Sequence, residues 1–560
     1  MRQASSALRP LTRLRALALL SVLALVLAAC GGGDKGGEGN SGQAQSGGTV
    51  VFAASSDPKG MDPALVSDGE SSRVTNQIFE GLVRTKSGSL EIEPALAESW
   101  TANGDGTEWT FKLRSGVRFH DGTPFNAEAV CFNFDRQYNF KGLLQNEALS
   151  YYWNTFFGGF SDKKKPSLYV SCSAPDETTA VIKLASASAS FIPAMSQFAF
   201  AIQSPKALQE FGADKVSGNE EAPKFNGTYA LEHPTGTGPM RFDSYKANDR
   251  VTLVRNDGYW GTKATVDRLI FRTISDNAAR RQALEAGEIQ GYDQVDPADL
   301  DALRSNFNVL ERPPLNLAYV GMNQSKPPLD NPKIRQAVAY ALNGKDFLEV
   351  SIGDPKWYRE CKSLFPCGSP LESTAGWEDK LGSNVAKAKQ LLQEAGYDGT
   401  PIVLMQQTDI AVLKDSAPMA KQLLEKAGFK VDMQSMDWQT LVSRRAKKEP
   451  PAQGGWHAFV TTWSSAEILD PVATTYLNAS CEKATFGWPC DAEIERLRDA
   501  FAKETDPAKQ KAIAEAVQVR AAEYPTHIHL GQYTAPVAFR KNLQGVLVAS
   551  NLVLWNIEKK

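Results

Sequence analysis

Through the first half of the chain, apolar residues recur at every second position. Trp109, Phe111 and Leu113 alternate with polar neighbours, as a half-buried strand requires. Val117 and Phe119 continue the alternation up to His120-Asp121-Gly122, a turn signal. Ala180, Ile182 and Leu184 repeat the period, as do Val251 and Leu253. From Gly48 to about Thr273 the chain therefore reads mainly as strands and turns.

The period then changes. Asn331 and Pro332 make a helix start, and Ile334, Ala337, Val338, Ala341 and Leu342 form the apolar stripe behind it. A second helix is predicted from Asn384 through Leu391 and Leu392 to Gly396, a stop residue. Ile402 to Met405 reads as a strand, Ser416 to Ala427 as a helix, and Phe429, Val431 and Met433 as a strand. That order predicts a parallel pair. His457 to Thr462 is a further strand, and Trp463-Ser464-Ser465-Ala466-Glu467 is the loop leaving it. Ligands of open α/β sheets sit beyond the carboxyl ends of strands, so this loop is the candidate site reached by pattern alone. The cluster Tyr151-Tyr152-Trp153 with Phe156-Phe157 reads as the packing of a small subdomain.

One apolar run fits neither period. Ala16 to Ala29 is apolar apart from Ser21, and follows Arg2, Arg9, Arg13 and Arg15 with no acid before Asp34. It falls short of the roughly 20 residues that span a bilayer, and suits the apolar core of a secretory signal. Its end, Leu27-Ala28-Ala29-Cys30, resembles a bacterial lipobox, which implies a lipidated (palmitate-bearing) Cys30 as the first mature residue. The expected division is a signal peptide over 1–29 and a flexible linker over 30–47. The Gly/Ser/Gln-rich tract Gly31 to Gly48 has a reach of roughly 25 Å. The protein is thus expected to be exported and held on the outer face of the cell membrane, on the periplasmic side where an outer membrane exists.

Without the first 29 of its 560 residues the chain keeps 531, enough for two or three domains. It is 42% hydrophobic and 22% charged, ordinary globular material. Removing four arginines from 61 basic residues leaves 57 against 64 acidic ones, a balance of −7. That excludes nucleic acid as the expected partner, because phosphate neutralisation needs a basic face. Beyond Cys30 there are six cysteines: Cys131, Cys172, Cys361, Cys367, Cys481 and Cys490. Six admit fifteen connectivities, so the count does not fix the pairing, although neighbourhood in sequence favours Cys361–Cys367, Cys481–Cys490 and hence Cys131–Cys172. There is no CxxC and the histidines are scattered, so no zinc or other metal site is expected.

Catalytic patterns are sparse. The chain has no HExxH, GxSxG or P-loop, and its GxGxxG pattern (Gly31, Gly33, Gly36) lies in the linker with no strand before it. His527 and His529 share a strand face but lack a third ligand; His120 and His233 read as turn residues. Glu467 and Asp470 fit hydrogen bonding at least as well as acid–base work. The chain is expected to be no enzyme and to need no cofactor.

Several blocks then point to a family. Pro94-Ala95-Leu96-Ala97-Glu98-Ser99-Trp100 is followed by Trp109 to Arg114 and Gly116 to Gly122. Gly236-Thr237-Gly238-Pro239, Arg255-Asn256-Asp257-Gly258-Tyr259-Trp260, Arg335 to Ala341, and Trp463 with Asp470-Pro471 come after. In this order they resemble the family 5 extracellular solute-binding proteins, peptide- and nickel-binding components of ABC importers. The pair Cys481–Cys490 looks like a disulfide of the dipeptide-binding members.

The resemblance implies an α/β, two-lobed periplasmic-binding-protein fold, type II-like, with an extra subdomain in lobe I. Lobe I would hold 48–274 and 529–560, the subdomain about 83–190, and lobe II 275–528, with the chain crossing near Thr273 and His529. A solute touching both lobes would favour a closed form that a permease reads. The implied partners are a peptide or similar small solute, the transmembrane subunits of an ABC permease, and the membrane through the lipid anchor; the protein would be a monomer. Trp463, Ser464, Ser465 and Glu467 are the expected lobe II wall, with Ser71 and Ser72 from lobe I and Asp470 bracing the loop. The dipeptide binders hold the peptide ammonium with an Asp three residues after the tryptophan, where this chain has Ala466, beside Glu467. They hold the carboxylate with an Arg where this chain has Ile410, near Lys414. An oligopeptide held through its main chain is therefore expected over a strict dipeptide. A nickel chelate, an oligosaccharide, a secreted hydrolase and a signalling lipoprotein are the alternatives.

Overall fold

The first strand, Thr49–Ala54, is buried along most of its length, as befits the centre of a sheet. It pairs in parallel with Arg268–Thr273 on one side and with Gly291–Tyr292 on the other. The resulting seven-stranded sheet runs, in spatial order, Met240–Lys246, Arg250–Arg255, Arg268–Thr273, Thr49–Ala54, Gly291–Tyr292, Val537–Arg540 and Phe307–Leu310. A second sheet of six strands runs Tyr358–Arg359, His527–Tyr533, Asn316–Met322, Ala458–Ser464, Ile402–Gln407 and Val431–Met436. A third, of four antiparallel strands, is built from Ala97–Ala102, Glu108–Leu113, Thr179–Leu184 and Tyr169–Asp176. These come from a computed structural model describing residues 47–86, 91–146, 149–188, 190–219, 223–310, 316–504, 506–534, 536–547 and 552–559. The signal segment, Cys30 and linker residues 31–46 lie outside the described residues.

The βαβ unit forms as its pattern predicts. Ile402–Gln407 and Val431–Met436 pair in parallel, from Ile402 opposite Val431 to Gln407 opposite Met436, and the helix Ser416–Lys426 joins them. The helices Pro332–Ala341 and Val385–Glu394 are capped by Asn331 and Asn384. Gly396 follows the second with φ +66°, the left-handed conformation that ends a helix most cheaply at glycine.

Three expectations need correction. The first half also holds two well-formed helices, Gly69–Ile78 and Ala127–Tyr138. The second starts at the cap Asn126 and buries Ala127, Val130, Cys131 and Phe134 on one face, a 3.6-residue period overridden in the reading by the strands around it. Trp463 and Ser464 belong to the strand itself, opposite Leu317 and Asn316, and the loop begins with the 3-10 turn Ser465–Glu467. The first sheet keeps strands up to Leu310 and regains the chain at Val537, so the exchange between sheets lies beyond Thr273 and His529. Strands 291–292 and 307–310 are too short to carry a periodic signal, which is why the boundary reads early.

The cysteines pair as Cys131–Cys172, Cys361–Cys367 and Cys481–Cys490. Cys131 ties the Ala127–Tyr138 helix to the four-stranded sheet. No helix among the described residues is long and apolar enough to cross a membrane.

Candidate functional site

The two large sheets face a common cavity of about 1240 Å³, counting the part open to solvent. From the first sheet's side it is lined by Asp68, Ser72 and Arg73 at the start of the Gly69–Ile78 helix and by Gln294. From the second it is lined by Trp463, Glu467, Ile410, Trp438 and Arg445. Tyr152, from the region of the four-stranded sheet, closes a third side.

Local sequence explains the first wall. Asp68 caps its helix, accepting from the Ser71 backbone N–H at 2.9 Å and from Ser71 Oγ at 2.8 Å. Ser71 Oγ in turn accepts from the Lys59 backbone N–H at 2.9 Å. Ser71 is fully buried by these bonds and serves as a brace behind the wall, whereas Ser72 borders the cavity. One turn on, Arg73 is enclosed between Glu70, which its guanidinium contacts, and Asp293 at 2.6 Å. Burial pushes Arg73 down, but the Asp293 and Glu70 carboxylates outweigh it and hold its pKa above the ordinary value. Burial also raises Glu70, against the pull of Arg73. Arg73 is thus a neutralised cation, fixed before any solute arrives.

The second wall is largely aromatic. Trp463 stacks on Tyr151 with centroids 5.7 Å apart and planes at 18°, and meets Tyr476 edge-on at 6.1 Å. Tyr151 stacks its ring on Phe486 as well, at 5.7 Å, and its hydroxyl donates to Thr475. Tyr152 OH donates to Glu467 Oε1 at 2.6 Å. Burial raises the pKa of both tyrosines, so they stay protonated donors. Trp153 and Phe157, by contrast, pack inward with Phe134 and Tyr169. The aromatic cluster read as subdomain packing is therefore divided: Trp153 and Phe157 fill the subdomain core, and Tyr151 and Tyr152 reach across to the second sheet's residues.

Ser465 is buried and does not border the cavity; Ser464 ends its strand, and its side chain lies outside the described residues. Asp470 also stays away from the cavity. It accepts from the backbone N–H groups of Val472 at 2.7 Å and Ala473 at 2.8 Å, and from Ser190 Oγ at 2.8 Å. Burial raises its pKa against these donors. Ile410 contributes an apolar surface to the cavity, and Lys414 is held by Asp296 at 2.8 Å. Arg445, which pattern reading passed over, stands at the end of the Trp438–Arg444 helix and is 4% exposed.

Further contacts join the two sides. Lys59 Nζ donates to Ser443 Oγ at 3.3 Å, Gln439 Nε2 to Ser56 Oγ at 3.3 Å, and Arg445 Nη2 to Ser67 Oγ at 3.2 Å. Burial lowers Lys59 to about 8, opposed by Asp68 and assisted by Arg445. His527 and His529 lie behind this region with Nε2 atoms 3.1 Å apart. Among the described residues no group of three His, Cys, Asp or Glu side chains is arranged to hold a metal ion.

A family model described as bacterial extracellular solute-binding proteins, family 5 middle, matches residues 91–486. Heme-binding protein A of Haemophilus influenzae is 32% identical over 477 residues, covering 79% of this chain and 81% of its own. The dipeptide-binding protein of Escherichia coli is 28% identical over 524 residues, covering 89% and 92%. Among solved structures, the ABC transporter-associated periplasmic binding protein DppA of Helicobacter pylori, in complex with the peptide STSA, superposes with a TM-score of 0.78. It is 25% identical and covers 92% of this chain and 98% of its own. The chain belongs to the family 5 bacterial extracellular solute-binding proteins, which have the two-lobed fold and are not enzymes.

Proposed function

We propose that this protein captures peptides, oligopeptides rather than strict dipeptides, between two lobes and delivers them to an ABC permease. The observation that carries the reading is the cavity walled from both sheets, with aromatic, amide and charged side chains together. Its lining reaches from Asp68 and Gln294 to Trp438 and Tyr152, so contacts are offered along a solute and not only at its ends. The departures at Ala466 and Ile410 act in the same direction. The pair of side chains with which dipeptide binders fix both ends at one set spacing is replaced, leaving main-chain hydrogen bonds to hold the middle of the solute. The STSA complex of the Helicobacter pylori relative and the name of the Escherichia coli one support peptides as the solute class.

In this reading Trp463, Glu467 and Ser72 face the solute, with Ser71 and Ser465 shaping the helix start and the loop behind them. Lobe I is the body of the first sheet with the four-stranded subdomain, and lobe II the body of the second. Closure brings them into the contacts described above, and the permease reads that form. The protein works as a monomer, exported and anchored through a lipidated Cys30.

Intrinsic tryptophan fluorescence titrated with a random tetrapeptide pool tests the solute class, since Trp463 and Trp438 border the cavity. A saturable change at micromolar peptide is expected. No change with any peptide pool, alongside a different solute retained in native mass spectrometry, would remove the peptide reading. Globomycin-sensitive processing and labelling by a palmitate analogue test the anchor; a Cys30→Ala chain that stays membrane-bound would refute it.

A further inference from the structure

The cavity holds two arginines in opposite electrostatic states. Arg73 is closed off by Glu70 and Asp293. Arg445 is equally buried, yet it forms no ion pair among the described residues. Its guanidinium lies 4.5 Å over the Phe486 ring and donates one hydrogen bond, at 3.2 Å, to the neutral hydroxyl of Ser67. Its Nε–H is buried without a partner. A guanidinium offers five donors in a planar fork matched to a carboxylate. Leaving such a cation desolvated without a counter-charge is unfavourable, and a ring face compensates only in part.

Where the resemblance expects an arginine, Ile410 supplies an apolar surface, and Lys414 is already held by Asp296. Lys59 adds a second cation nearby, and Arg445 contributes to lowering it to about 8. Glu467 stands on the same wall, and both Arg445 and Glu467 act electrostatically on the Tyr152 hydroxyl. A cation and an anion thus flank one aromatic side chain.

We propose that Arg445 binds an ionised carboxylate of the solute, forming with it the counter-ion pair that the protein leaves unmade. This deepens the peptide reading and rests on it for the source of the carboxylate, which would be the peptide's C-terminal group. It also adds a role in closure, because the Arg445–Ser67 bond joins the two lobes at the same point.

The test compares a random tetrapeptide pool carrying free C-termini with the same pool as C-terminal amides, on wild type, Arg445→Gln and Arg445→Lys. The free acids should bind wild type at least about 30-fold more tightly than the amides, the loss expected when one partner of a buried charge pair is removed. That ratio should fall to near one in Arg445→Gln and to an intermediate value in Arg445→Lys, with melting temperatures showing both variants folded. If acids and amides bind wild type equally, or the preference survives in Arg445→Gln, the peptide reading stands and the Arg445 proposal falls. If neither pool binds, the peptide reading falls and the proposal is judged on acetate. The Nε–H resonance of Arg445, assigned by its loss in Arg445→Gln, should shift saturably with acetate; an unmoved resonance would overturn the proposal.

Discussion

Replacing Ser190 by alanine should weaken solute binding without touching solute. Ser190 Oγ donates to Asp470 Oδ2 at 2.8 Å, joining the four-stranded subdomain's side to the second sheet's body, and neither residue borders the cavity. Both are buried, Ser190 at 1% and Asp470 at 8% exposure. Asp470 keeps its two backbone donors, but burial already disfavours its charge, so a lost third donor is not readily replaced by water while the lobes are closed. A hydrogen bond to a charged group contributes about 1.5–3 kcal/mol. With the lobes apart, water takes the place of the serine hydroxyl and the cost vanishes. The deficit therefore falls on the closed form alone, and the apparent Kd should rise roughly 10- to 150-fold at about 1.4 kcal/mol per decade. Fluorescence titration gives the Kd, and small-angle scattering gives the open fraction at fixed peptide. The melting temperature of the peptide-free protein should change little. A Kd within twofold of wild type, with unchanged scattering, would show that this contact persists through closure and would refute the reasoning.

Arg73→Met should cost about 3–5 kcal/mol of stability in urea unfolding, because it strands the buried Glu70 and Asp293 carboxylates; a loss under 1 kcal/mol would contradict the pairing. Trp463→Ala should blunt the fluorescence response and raise the apparent Kd for peptide, since its ring borders the cavity and stacks on Tyr151 from the facing side; an unchanged response and Kd would remove it from the site. His120 is lowered to about 4 by burial, only partly opposed by its bond to the Gly238 carbonyl. The unfolded chain therefore binds the extra proton first, and this residue's share of stability is whole above pH 6.5 and lost as pH falls towards about 4. Compared with His120→Gln, wild type should lose up to about 1.4 kcal/mol per pH unit across that window. Parallel pH profiles of the two proteins would exclude it.

Much of the scaffold is legible from periodicity, and the reasons it fails are local. The βαβ unit at 402–436 is readable because each element is long enough to repeat its period and is punctuated by caps. The helix at 127–138 carries an equally clear pattern, but it sits among strands whose alternation dominates a wide window. The site divides in the same way. Trp463 and Glu467 follow from the end of a recognisable strand. Arg445 does not, since it shares a doublet with Arg444, and only the helix end decides which of the two turns inward: Arg444 bonds the Gly454 and Gly455 carbonyls instead. Glu70 and Arg73 look like an ordinary surface pair three residues apart, and become a buried anchor only when Asp293 arrives from far along the chain. Ser190 and Asp470 meet across 280 positions, a distance no local pattern encodes.

The strand Val537–Arg540 lies inside the first sheet, antiparallel both to Gly291–Tyr292 and to Phe307–Leu310. The second sheet, by contrast, draws every strand from the continuous stretch 316–533. As the polypeptide emerges from the ribosome or from an export channel, the second body has all its strands in hand while the first still has a gap next to its edge strand. Assembly of the N-terminal body must wait for the C-terminus, through contacts of very large sequence separation, which are slow to close. Any truncation before residue 537 leaves Phe307–Leu310 severed from its sheet, so the tail is a keystone and not an appendage.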